Sequence, residues 1–239
     1  MTQQEAVVPT ANAEPEGPVS GSRLDGRPSA VVFDCDGVLV DTEPLWGQAE
    51  RLLFARRQQP YTPADRALFA GLSVWNTAAK MAARFDEPGA GDRIAEEMLD
   101  AVIGLLRERA VPMAGVLDLL DRLAVAGIPT AVASNSPDRA VEASLGSTGL
   151  LDRFDVVVTA DGVDRPKPDP EPYLKACALL GVDATRAVAI EDSRTGLDSA
   201  RAAGMATIGV PVNPTDFPAD LVVPDLSHAS IERWISSWS

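Results

Sequence analysis

The sequence predicts an α/β protein: a parallel sheet with helices on both faces, interrupted after its first strand by an inserted all-α unit. From Gly115 onward, short apolar runs of strand length alternate with amphipathic segments of helix length. Such alternation implies right-handed crossovers, and hence parallel strands covered on both sides. Between residues 44 and 111, by contrast, apolar residues recur only at helical spacing. With 239 residues, 46% of them apolar, the chain can bury one large core together with an insert that has a core of its own.

Taken in order, residues 1–28 are rich in Ala, Pro, Glu, Gly and Ser without apolar periodicity, and read as a disordered tail. Val31-Val32-Phe33 then forms a buried strand running into Asp34-Cys35-Asp36-Gly37, where glycine lets the chain turn away. Asp41-Thr42-Glu43-Pro44 starts a helix, with Thr42 or Asp41 as cap and Pro44 in its first turn. Leu45, Ala49, Leu52 and Leu53 continue it; Thr62-Pro63, Trp75–Phe85 and Ile94–Leu106 mark three more helices. Helices are expected over Gly115–Ala126, from Ser136-Pro137, over Pro170–Leu180 and Ser193–Ala203, and from about Ser227. Strands are expected at Pro129–Ala133, Phe154–Thr159, Ala187–Ile190, Ala206–Val210 and Leu221–Val223.

Composition excludes several function classes. A net charge of −14, from 35 acids against 21 bases, opposes nucleic acid or an anionic membrane as the main partner. Two cysteines, Cys35 and Cys177, provide neither a disulfide framework nor zinc spacing, and Cys35 reads as packing. The single histidine, His228, stands among helix-start residues and reads as a solvated residue or local cap, so a serine–histidine triad is not expected. No P-loop, G-x-G-x-x-G or G-x-S-x-G occurs, no apolar run spans a bilayer, and the first residues lack the pattern of a secretory signal. A cytoplasmic protein is the expectation.

In a parallel sheet, ligands bind beyond the carboxyl ends of the strands. The first strand delivers Asp34 and Asp36, and a buried strand has no packing reason to end on two acids that repel each other. The next delivers Ser134-Asn135-Ser136 at a helix start, where unpaired N–H groups can hold a phosphate; Ser136 itself reads as the helix cap. The third leads into Arg165-Pro166-Lys167-Pro168, one of only three lysines in the chain, on a proline-stiffened loop. The fourth ends in Glu191-Asp192, of which capping accounts for one acid. Oxygen ligands without His or Cys favour magnesium over zinc or copper.

These four motifs, in this order, resemble those of the haloacid dehalogenase superfamily of phosphotransferases. The resemblance covers about residues 29–225 and rests on Asp34–Asp41, Ser134-Asn135, Lys167-Pro168, and Glu191-Asp192-Ser193 with Gly196 and Ala200–Gly204. It implies a Rossmann-like core over residues 29–43 and 112–239, with residues 44–111 as a helical cap domain, like that of β-phosphoglucomutases and sugar-phosphate phosphatases. It further implies Asp34 as nucleophile through an aspartyl-phosphate, and Asp36 as the proton partner of leaving alcohol and water. Ser134, the Asn135 backbone and Lys167 would bind the phosphoryl group. Asp34, the Asp36 carbonyl and Asp192 would ligate Mg²⁺, with Glu191 beside them. Asp41 then reads as hinge and helix cap, and Trp46, the Gly71-Leu72-Ser73 loop, Trp75, Asn76 and Lys80 as cap residues facing the substrate.

The expected activity is hydrolysis of a small phosphate monoester, a sugar phosphate by cap type, by a monomer or weak dimer. A phosphohexomutase is the runner-up; residues 71–80 lack the arginine-containing loop expected of mutases. A dehalogenase has no use for Asp36. A catalytically idle binding protein on the same fold would have lost a motif residue, and here every position is filled.

Overall fold

The computed structural model describes residues 23–69 and 72–238. Six parallel strands form one sheet: β1 Ala30–Phe33, β2 Thr130–Ala133, β3 Val156–Val158, β4 Ala187–Glu191, β5 Ala206–Gly209 and β6 Leu221–Val222, in the order β3-β2-β1-β4-β5-β6. Between β1 and β2 run α1 Glu43–Arg56, α2 Pro63–Phe69, α3 Val74–Arg84, α4 Gly91–Arg109 and α5 Val116–Ala126. The later helices are α6 Asp138–Ser147, α7 Glu171–Leu180, α8 Arg194–Ala202 and α9 Ala229–Ser236. Among the described residues, no helix is long and apolar enough to cross a membrane.

The two faces of the sheet are built differently, and the difference is written in strand alternation. Val31, Phe33, Val132, Val188 and Ile190 point to one face, where they pack with Leu119 and Leu123 of α5, Val141 of α6 and Trp234 of α9. Ala30, Val32, Ala131, Ala133, Ala187 and Ala189 line the other, against Tyr173, Ala176 and Cys177 of α7 and Ala200 of α8. Small residues on this side let α7 approach closely, and Tyr173 is wholly buried there.

Helices α1–α4 have a separate apolar cluster of Leu53, Phe54, Phe69, Met81, Ile94, Leu99 and Val102, completed by Ala140 and Ala143 of α6. The chain enters and leaves these helices through paired backbone segments: Asp41 N–H donates to Val111 C=O at 3.0 Å, and Met113 N–H to Leu39 C=O at 2.9 Å. Arg139 of α6 reaches across to Glu96 and Asp100 of α4 at 3.0 and 2.7 Å. A shallow groove of about 730 Å³ follows this α4–α6 seam, remote from the strand ends.

Element types match the sequence reading, and Gly127 and Gly181 end α5 and α7 with positive φ as expected. Three local readings change. The proposed tail ends earlier on its described side: Leu24 is buried in the main core, and Arg23 donates to the carbonyls of Gly204 and Met205. Residues 1–22 and Gly71 lie outside the described residues. Asp41 is exposed and does not cap α1; Thr42 holds the cap position, yet its hydroxyl is turned elsewhere. Ser136 does not cap α6, which starts after Pro137. His228 does cap α9, its Nδ1 accepting from Ser230 N–H at 3.3 Å.

Gly115 joins the helical insert to α5 with φ +81°, and a Cβ there would lie 2.2 Å from the backbone at Leu226 and Ser227. Gly115→Ala combines a left-handed conformation with a backbone clash. It is expected to lower stability by at least about 2 kcal/mol, read from the urea midpoint at unchanged slope.

Candidate active site

The strand order reverses between β1 and β4, and the acids stand at the carboxyl ends of these two neighbours. Asp34 N–H donates to Ile190 C=O at 3.0 Å, so the backbone ladder itself fixes Asp34 beside Glu191. Lys167 reaches in from the loop after β3. Its Nζ lies 2.6 Å from Asp34 Oδ1 and 2.6 Å from Glu191 Oε1, with 3% of the side chain exposed.

Each carboxylate of this group is held by named donors. Glu191 Oε1 also accepts from Tyr173 Oη at 2.7 Å, and its Oε2 accepts from Ser193 N–H and Oγ. Glu191 is completely buried, and a Cβ on Gly196 would lie 1.7 Å from its Oε1, so only glycine leaves room for it. Asp36 Oδ1 accepts from Thr42 Oγ1 at 2.6 Å and Trp46 Nε1 at 3.4 Å, and its Oδ2 from Ser136 Oγ at 2.7 Å. Asn135 clamps the lysine loop from its side chain: Nδ2 donates to Lys167 C=O and Oδ1 accepts from Lys167 N–H. Ser134 is buried, and its Oγ accepts from Ser136 N–H at 3.0 Å.

Ligand oxygens of Asp34, Glu191 and Asp192 lie within 4.8 Å of one another. Burial pushes the Asp34 carboxyl well above its ordinary range; the Lys167 ammonium opposes this without cancelling it, and the neighbouring acids reinforce it. Burial, then Glu191, pushes Asp192 up to about 7. Burial works against the charged form of Lys167, but Asp34 and Glu191 hold its ammonium above its ordinary range. Cys35 is buried in the core behind the acids, and burial raises its thiol.

The donor set fits a hard divalent cation: three convergent carboxylates, oxygen only, with less positive charge nearby than negative. Gly37 keeps the approach open, since a Cβ there would sit 2.3 Å from Asp192 Oδ2. Of the carboxylates, Glu191 has both oxygens already engaged, which leaves Asp34 and Asp192 the freer donors.

A cleft of about 480 Å³ opens over these groups between the sheet edge and α1–α4. Asp34, Asp36, Asn135, Lys167 and Asp192 line it, as do Trp46 and Ser73 of the proposed cap contacts. Trp75, Asn76 and Lys80 do not: all three are exposed on α3, whose Val74 and Thr77 line the cleft instead. Ser73 Oγ is taken up as the cap of α3. The structure adds Thr42 and Ser136 on Asp36, Tyr173 on Glu191, and Glu50 and Arg66 in the cleft wall. Thr42 and Ser136 looked like caps, and Tyr173 like one helix residue among others. Glu50, an acid on the buried face of α1 beside Ala49 and Leu53, is the one addition with a sequence signal.

The family model for haloacid dehalogenase-like hydrolases matches residues 28–204. The validoxylamine A 7′-phosphate phosphatase of Streptomyces hygroscopicus subsp. limoneus is 31% identical, over 85% of this chain and 95% of its own. Hexitol phosphatase B of Escherichia coli (strain K12) is 30% identical, over 84% and 92%. The structure of CbbY from Rhodobacter sphaeroides in complex with phosphate superposes with a TM-score of 0.74 at 28% identity, covering 86% of this chain and all of that one.

The Asp192 carboxyl binds its proton more tightly in the fold than its ordinary 3.8. Without metal, its contribution to stability is therefore whole below about pH 4 and is lost as pH rises through about 7. In EDTA the melting temperature is expected to fall between pH 5 and 8, with a smaller fall in Asp192→Asn. A pH profile unchanged by the substitution refutes this assignment.

Proposed function

Since the chain belongs to the haloacid dehalogenase-like hydrolases, we propose that it is a Mg²⁺-dependent phosphatase of a small phosphorylated metabolite, acting through an aspartyl-phosphate on Asp34. The observation that carries this reading is the pairing of the Lys167 ammonium with Asp34 at the switch point of the sheet, beside Asp192 and beneath the cleft. The ammonium favours the ionised, nucleophilic form of Asp34 against the opposing effect of burial, and is placed to meet a phosphoryl oxygen.

In the first step a carboxylate oxygen of Asp34 attacks phosphorus and the bond to the leaving alcohol breaks. Asp36 supplies the proton that the departing oxygen takes up. In the second step Asp36 removes a proton from water as that water attacks phosphorus, the Asp34–phosphorus bond breaks, and inorganic phosphate leaves. Lys167, the Ser134 hydroxyl and the Asn135 backbone N–H bind the transferring group and counter charge on its equatorial oxygens. The side chains of Asp34 and Asp192 and the Asp36 carbonyl would hold Mg²⁺, with Glu191 orienting Lys167 and the loop at Ser193 from behind. The ion, when bound, offsets negative charge on the phosphoryl group and the acids.

Thr42, Trp46 and Ser136 position Asp36: two donors come from the entrance of the helical insert and one from the core. We read residues 44–111 as a cap domain that closes over the substrate and excludes water. Relatives named for sugar-like phosphate esters support a substrate of that kind. A phosphohexomutase remains the second reading; one arginine, Arg66, stands in the cleft wall, but it lies outside residues 71–80 and is paired with Glu43 and Glu50.

Purified protein with Mg²⁺ is expected to release phosphate from an aryl phosphate such as p-nitrophenyl phosphate, and Asp34→Asn to abolish that release. Full activity of the variant would end the nucleophile assignment. Asp36→Asn should keep Mg²⁺ binding, measured calorimetrically, while kcat drops by at least about a hundredfold. Near-normal kcat would remove its proton-transfer role.

A further inference from the structure

The wall of the cleft facing the strand ends carries a negative excess. Asp41, Glu43 and Glu50 line it, and its cations among the described residues are Arg66 and Lys167. Lys167 is committed to Asp34 and Glu191. Arg66 is committed as well: its Nη2 donates to Glu43 Oε1, and its Nη1 lies 3.7 Å from Glu50 Oε2. Glu50 is 6% exposed, and Tyr61 Oη donates to the same Oε2, holding its carboxylate in place. An aromatic ring, Trp46, completes this side of the cleft.

We propose that this Glu43–Arg66–Glu50 arrangement sets substrate choice: it admits monophosphates whose remainder is a neutral or cationic polyol, and turns away a second anion. The proposal rests on the phosphatase reading above. A hydroxyl-bearing remainder finds carboxylate acceptors and an aromatic face, and an ammonium would find excess negative charge. A carboxylate or second phosphate on the same remainder would meet Asp41, Glu43 and Glu50 with the guanidinium already neutralised, so discrimination comes from repulsion as much as from fit. The same arrangement counts against a mutase, which must hold a second phosphate on this side of the cleft.

The matched pair D-glucitol 6-phosphate and 6-phospho-D-gluconate differs only in a CH₂OH against a COO⁻ at the far end. Wild-type protein with Mg²⁺ should show kcat/KM for the first at least about tenfold above the second. Freeing the guanidinium in Glu43→Gln combined with Glu50→Gln should shrink that ratio by about the same factor. Each ester is also run as a competitor of p-nitrophenyl phosphate hydrolysis. Equal kcat/KM with equal competition, including no competition by either, overturns the proposal, as does a wild-type preference for the gluconate. The wild-type ratio needs no variant, so misfolding of the double variant cannot hide the answer. Failure to hydrolyse p-nitrophenyl phosphate at all would instead strike the phosphatase reading itself.

Discussion

Everything at the strand ends depends on one buried ammonium. Lys167 Nζ sits between Asp34 and Glu191 with almost no exposure, an arrangement that is stable only when charge and hydrogen bonds are both complete. Tyr173 and Ser193 complete Glu191, Gly196 leaves room for it, and Asn135 grips the backbone on both sides of the lysine carbonyl and amide. Removing Tyr173 or Ser193 would take a donor from a carboxylate in a low-dielectric interior, and losing Asn135 or Gly196 would disturb the placement of the lysine or the acid. A negative excess still remains: burial raises the carboxyls of Asp34 and Asp192, and the neighbouring acids raise them further. A divalent cation is the simplest relief for that excess.

The asymmetry of the sheet makes this possible. Alanines on one face let α7 lie close enough for Tyr173 to reach Glu191, whereas valine, isoleucine and phenylalanine on the other face build the thicker core under α5, α6 and α9. Asp36 then serves as the meeting point between the core and the helical insert. Its two oxygens take donors from Thr42 and Trp46 on one side and Ser136 on the other, so a shift of the insert would be felt directly at this carboxylate. Backbone pairing at Asp41 and Met113 keeps the connection narrow, while Arg139 ties α4 to α6 at the far seam.

The sequence by itself determined the element types, the parallel sheet and the four strand ends that carry Asp34, Asp36, Ser134, Lys167, Glu191 and Asp192. These were legible because period, glycine stops and acids after buried apolar runs are local signals. Hydroxyl partners were not legible in the same way. Thr42 and Ser136 each precede a helix, where a cap is the local expectation, and only the fold offers Asp36 as a better acceptor. The cleft wall was the least readable. Trp75, Asn76 and Lys80 have suitable chemistry but lie on the outer face of α3, whereas Arg66 and Glu50 belong to α2 and α1 and meet only when those helices pack. Tertiary structure alone decided which face of each inserted helix looks into the cleft, because helical periodicity gives a face without saying what that face meets.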